Sequence, residues 1–95
     1  MAKQIKNDKN FLVIECSVFD LMGIEPAAMG ICDRCNSASL KGYICCALGH
    51  QYYCEKCYQE WISRATRFDE DIPFETSVFN QYKISFESIN KWENE

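Results

Sequence analysis

Two Cys-x-x-Cys pairs, Cys32/Cys35 and Cys54/Cys57, with eighteen residues between them, constrain this chain more than any other feature. Four thiolates at that spacing can close around one tetrahedral metal ion, and Zn2+ is the ion such sets most often hold. Four sulfurs fill the shell and leave no position for an activated water, so the expected site holds a fold together and does no hydrolysis. A rubredoxin-like iron centre is the rival for tetrahedral sulfur. Its loops carry glycine after each Cys pair, whereas Asn36 and Tyr58 stand there in this chain, which favours one structural zinc.

The size of the chain explains why a metal would matter. Its 95 residues make one domain, and a domain of that length buries only about 60 to 65% of its unfolded surface. With 47% apolar residues the chain is too hydrophobic to stay disordered, but its core is small and a metal is a common staple at this size. Seven cysteines also suggest a secreted disulfide framework. The polar start MAKQIKNDKN offers no apolar signal segment, no run approaches a membrane span, and an odd count leaves a thiol over. A reducing cytoplasm, and metal rather than disulfides, is the expectation. The formal net charge of -4 lowers the prospect of nucleic-acid binding, which rests on neutralising phosphates.

In chain order, residues 1–10 are expected to be a flexible N-terminus, and residues 11–95 a single zinc-binding domain. Phe11 to Phe19 reads as a strand, being short and rich in β-branched residues. Gly23, Pro26 and Gly30 break up the next stretch into turns, with at most one helical turn after Pro26. After the first Cys pair, Lys41-Gly42 suggests a hairpin tip, Tyr43 to Leu48 a strand, Gly49-His50 a turn and Gln51 to Tyr53 its returning partner. From Cys54 the period becomes helical: Cys54, Cys57, Tyr58, Trp61, Ala65 and Phe68 share one face, so the second pair opens a helix ending near Phe68. The helix N-terminus there favours the thiolate form of its cysteines. Phe74, Val78, Phe79, Tyr82, Phe86 and Ile89 mark a second helix over 73–92, with Ile84 off its stripe. The fold class is therefore α+β: an N-terminal strand, a zinc knuckle, a β-hairpin, a second knuckle opening a helix, and a C-terminal helix. The zinc module spans residues 31–68.

Cys16, Cys45, Cys46 and His50 could make a second set of four ligands. Cys45 and Cys46 are neighbours on a strand, however, and should face opposite ways; buried core thiols are the simpler expectation, with His50 in a turn. Catalytic patterns fail. His50 is followed by Gln51-Tyr52 and Cys54 is preceded by Tyr53, which does not fit the His-x-Glu and Pro-Cys-x-x-Cys of zinc deaminases. No enzyme activity and no small-molecule substrate are expected.

The block CDRC…GYICCALGHQYYCEKCYQEWISRATRFDEDIPFE resembles a treble-clef or half-LIM zinc module. More closely, it is similar to a group of small bacterial proteins often carried on mobile elements, over roughly Cys32 to Tyr82. In that group a Cys-x-x-Cys, a hairpin and a Tyr-Cys-x-x-Cys-Tyr-x-x-Trp helix precede an acidic linker and an aromatic helix. The resemblance implies a single zinc held by four cysteines, because the group's pattern lacks equivalents of Cys45, Cys46 and His50. It implies no particular activity.

Two functional expectations follow. The first is a protein-interaction module, through a protein partner or self-association. The ten aromatics Tyr43, Tyr52, Tyr53, Tyr58, Trp61, Phe74, Phe79, Tyr82, Phe86 and Trp92 exceed what a small core needs, and aromatics anchor interfaces. The second is nucleic-acid binding in a mobile element, through Arg34, Lys41, Lys56, Arg64 and Arg67.

Overall fold

The computed structural model describes residues 1–94. Four strands form one antiparallel sheet in the order β1-β2-β3-β4: β1 Lys3–Ile5, β2 Val13–Ser17, β3 Lys41–Cys45 and β4 Tyr52–Tyr53. Three helices, α1 Val18–Met22, α2 Glu55–Arg64 and α3 Ile72–Ser88, cover it. The class is α+β, as the change of period along the chain implies.

Both faces of the sheet are buried, and the pairing shows how. Val13 opposes Cys45 and Ile14 opposes Ile44; successive side chains point to opposite faces, so these pairs split between two cores. Ile14, Cys16, Ile44, Cys46 and Tyr52 pack with Val78, Phe79, Tyr82 and Phe86 of α3. Val13, Tyr43 and Cys45 pack on the other side with Phe11 and with Tyr58 and Trp61 of α2. Tyr43 stacks on Tyr58 at 4.6 Å between ring centroids, and Phe11 tilts against Trp61 at 4.7 Å. A sheet covered on both sides explains why the adjacent Val13 and Ile14 of β2 are both buried.

Cys45 and Cys46 thus lie in different cores, and Cys16 shares the α3 side with Cys46. Burial pushes the Cys16 and Cys46 thiols up to about 12, and it raises Cys45 as well. An unfolded thiol ionises near its ordinary value of 9.0 while the folded one stays protonated. Above that pH the unfolded chain binds fewer protons, so stability falls as pH rises from about 9 towards 12. Each thiol should withdraw about 1.4 kcal/mol per pH unit in that window. Urea midpoints should therefore drop steeply on the alkaline side, and Cys46→Ala should flatten the drop. A midpoint independent of alkaline pH would contradict this burial.

Several sequence expectations need correction. Residues 1–10 are not a frayed tail in this structure. Lys3 to Ile5 pair with Glu15 to Val13, and the buried Ala2 bridges to Trp92, donating to Lys91 O at 2.7 Å and accepting from Glu93 N at 2.7 Å. A polar, lysine-bearing segment suits an exposed sheet edge, and the partner that holds it is remote in sequence. The predicted strand to Phe19 stops at Ser17, where a capping box starts α1: Asp20 N donates to Ser17 Oγ, and Ser17 N to Asp20 Oδ2. Lys41-Gly42 opens β3 instead of forming a hairpin tip. Gly42 is needed because a Cβ there would overlap the Tyr52 ring. Strand β3 ends at Cys45, and Cys46–Leu48 forms a 3-10 turn before Gly49 at φ 86°.

Helix α2 ends at Arg64, short of Phe68, with Ala65 already extended and Lys9 Nζ capping its carbonyl at 2.8 Å. Helix α3 stops at Ser88; Asn90 at φ 58° then turns the chain so that Trp92 packs back on Phe79 and Phe86. Its stripe holds at Val78, Phe79, Tyr82 and Phe86 and departs at its first position. Phe74 is 54% exposed and the buried place belongs to Glu75. Ile84, off the stripe, is exposed as its position implies.

Candidate metal centre

Each Cys pair is presented by its own local geometry. In the first knuckle, Asn36 at φ 61° turns the chain, Asn36 N donates to Cys32 O at 2.9 Å and Cys32 N to Ser37 O at 2.9 Å. Asn accepts that left-handed conformation more readily than most residues. In the second, Cys54 is the N-cap of α2 and Cys57 lies one turn in, among the residues buried against the sheet. Asp33 straps the two knuckles together: its N–H donates to Tyr52 O at 2.8 Å and its Oδ2 accepts from Tyr52 N at 2.7 Å. Arg34 Nη1 reaches Glu60 Oε2 of α2 at 2.7 Å, closing the rim.

The result brings together all four cysteines expected to act as ligands. The sulfurs of Cys32, Cys35, Cys54 and Cys57 lie within 4.8 Å of one another, and those of Cys35 and Cys54 are 3.8 Å apart. Ligands about 2.3 Å from a central ion at tetrahedral angles are separated by about 3.8 Å, so the sulfurs fit a single ion. A disulfide would need about 2.05 Å; all seven cysteines are free. Among the described residues this is the only group of three or more His, Cys, Asp or Glu side chains able to hold a metal ion.

Three of the four thiols are also perturbed electrostatically. Cys35 is held down to about 6, first by the side chain and backbone of Ser37. Burial tends to raise Cys32, yet the N–H groups of Cys54, Cys35 and Arg34 leave it lowered. Cys57 is pushed up to about 12, by desolvation and then by its sulfur neighbours Cys54, Cys32 and Cys35. Desolvation and the neighbouring sulfurs thus oppose ionisation of Cys57, and a divalent ion would offset that opposition. Cys32 and Cys57 are buried while Cys35 is exposed, so one side of the centre faces solvent.

The second ligand set is not assembled. Cys16, Cys45 and Cys46 are core thiols, as expected, and His50 Nδ1 lies 2.9 Å from Tyr82 Oη. Sequence reasoning missed this contact and the one beyond it, where Tyr82 Oη donates to Glu25 Oε1 at 3.2 Å. The three residues lie 32 and 57 positions apart, and no local pattern marks them.

The aromatic surplus is mostly core. Eight of the ten aromatics are buried; Tyr53 is half-buried and Phe74 exposed. Of the five basic residues, Arg34 pairs with Glu60, Lys41 with Glu15 at 3.6 Å and Arg67 with Glu75 at 3.0 Å. The pairing of Glu60 is across to Arg34 and not with Arg64 on its own helix. No helix among the described residues is long and apolar enough to cross a membrane. The chain matches no family profile, and no curated protein or solved structure is significantly similar to it.

Proposed function

We propose that this protein is a non-catalytic zinc-binding module of treble-clef type, in which Cys32, Cys35, Cys54 and Cys57 hold one structural Zn2+ and the folded domain docks another protein. The observation that carries the reading is the four-sulfur cluster, with its 3.8 Å Cys35–Cys54 separation. An all-sulfur tetrahedral set selects zinc over hard cations, and two knuckles with a helix opening at the second suit a structural site. A closed shell of four sulfurs leaves the ion no open position for chemistry. The other thiols are buried and held protonated, which disfavours them as nucleophiles.

The docking surface of this reading is α1 and its neighbours. Phe19 is 69% exposed, Met29 78% and Leu40 71%. Their chain segments adjoin: Val18 N donates to Leu40 O at 2.8 Å and Ser39 N to Gly30 O at 2.8 Å. Large apolar side chains gathered on neighbouring segments are what an interface presents. Nucleic-acid binding has less support, since three of its five candidate cations are already paired with carboxylates.

Two measurements test the proposal. Metal analysis of purified protein should return one zinc per chain; iron, or two ions, would refute the assignment. Light scattering over a concentration series should show association that Phe19→Ser with Leu40→Ser abolishes. A wild-type protein that stays monomeric and binds no apolar dye would count against the docking face.

A further inference from the structure

A cavity of about 280 Å3 lies between α1, the first knuckle and α3, lined in part by Leu21, Ile44, Glu25, Asp33, His50 and Tyr82. It is close to the lower size limit of small-ligand pockets. Its polar groups are the informative part. Tyr82 Oη has one proton and donates it to Glu25 Oε1, so its contact with His50 requires Nδ1–H as the donor. In the neutral imidazole this leaves Nε2 as a lone-pair acceptor. Glu25 keeps a second oxygen, and so does Asp33, whose Oδ2 is taken by Tyr52 N. Neither carboxylate belongs to an ion pair among the described residues. None of the ten Lys and Arg residues lines the cavity.

The cavity is thus rich in acceptors and poor in donors, with Leu21, Ala28, Ile31 and Ile44 as apolar lining. A metal ion does not match it, because Glu25, Asp33 and His50 do not converge as a ligand cluster; the cysteine group is the only such cluster among the described residues. An ammonium group can instead donate to acceptors that are spread apart, while an attached apolar group meets the apolar lining. We infer that this cavity binds a small organic cation, a primary amine on a compact apolar body, with Glu25 and His50 as its acceptors and Tyr82 as the residue that holds both in place. The inference does not depend on the docking face or on which metal fills the cysteine cluster.

The test is an NMR titration of the metal-loaded protein with two probes of similar size, phenethylamine and 3-phenylpropionate. It is run at mildly alkaline pH, where the amine is still protonated. Phenethylamine should saturably shift the Ile31, Ile44 and His50 signals, and the carboxylate should not. Glu25→Gln, at an exposed position, should weaken amine binding about tenfold, the size of one charge-assisted hydrogen bond. Signals unmoved by phenethylamine, equal shifts from both probes, or unchanged affinity in Glu25→Gln would each overturn the inference.

Discussion

Chelating the metal, or replacing Cys32 with serine, is expected to unfold the α2 side of the protein. A structural zinc contributes about 10 to 16 kcal/mol of apparent free energy in small zinc peptides at neutral pH, against about 5 to 15 kcal/mol of net stability for a whole domain. The architecture indicates where the loss falls. Helix α2 begins directly after its N-cap Cys54 and meets the sheet mainly through Tyr58 and Trp61, a contact too small to hold a ten-residue helix that is marginal on its own. Near-UV circular dichroism from these aromatics should collapse on chelation, and zinc should restore it. Cys45→Ala is the control. It removes a buried thiol of the same core but no ligand, so it should retain the metal and cost only about 1 kcal/mol. Retention of the folded signal after complete removal of the metal, or equal losses from Cys32→Ser and Cys45→Ala, would refute the structural role.

Glu75→Ala is the second change expected to be severe, at about 3 to 5 kcal/mol. Glu75 is 1% exposed in the first turn of α3; its Oε1 receives Arg67 Nη2 at 3.0 Å and its Oε2 receives Leu12 N at 3.0 Å. Removing the carboxylate leaves the half-buried Arg67 charge and the Leu12 N–H without their partner, and Arg67 Nε already lacks one. The penalty is that of stranded polar groups more than of a lost attraction. A double variant, Glu75→Leu with Arg67→Met, should therefore be markedly more stable than Glu75→Leu alone. Denaturant unfolding of the two single variants and the double variant measures the coupling. A single-variant loss below about 1 kcal/mol would show that solvent reaches this pair in the native state.

Glu75 also illustrates what sequence pattern misses. Periodicity assigns Phe74 to the buried stripe of α3, because an apolar residue next to a charged one is the natural candidate for the core. Burying Glu75 makes sense only once Arg67 and Leu12 N are beside it, and both arrive through tertiary folding. Strand β1 follows the same logic. Its polar residues have no tendency to order alone, and they pair because β2 has an open edge there. Helix α1 is a different case. The Ser17–Asp20 capping box was present in the sequence, but the apolar run from Phe11 masked it.

The metal pattern was legible because its determinants are local. Two residues inside each Cys pair form a tight turn, and a helical period begins at Cys54, so each pair's geometry is set within a few bonds of its sulfurs. From the sequence alone come the four candidate ligands, the α+β class, the α2 face of Cys57, Tyr58 and Trp61, and the expectation that Cys45 and Cys46 part company. Tertiary structure alone decides which aromatics are covered, which cations are already paired, and that Glu25, Tyr82 and His50 share one cavity wall. Those outcomes depend on contacts between residues from eight to 57 positions apart, where nothing in the local pattern selects one partner over another.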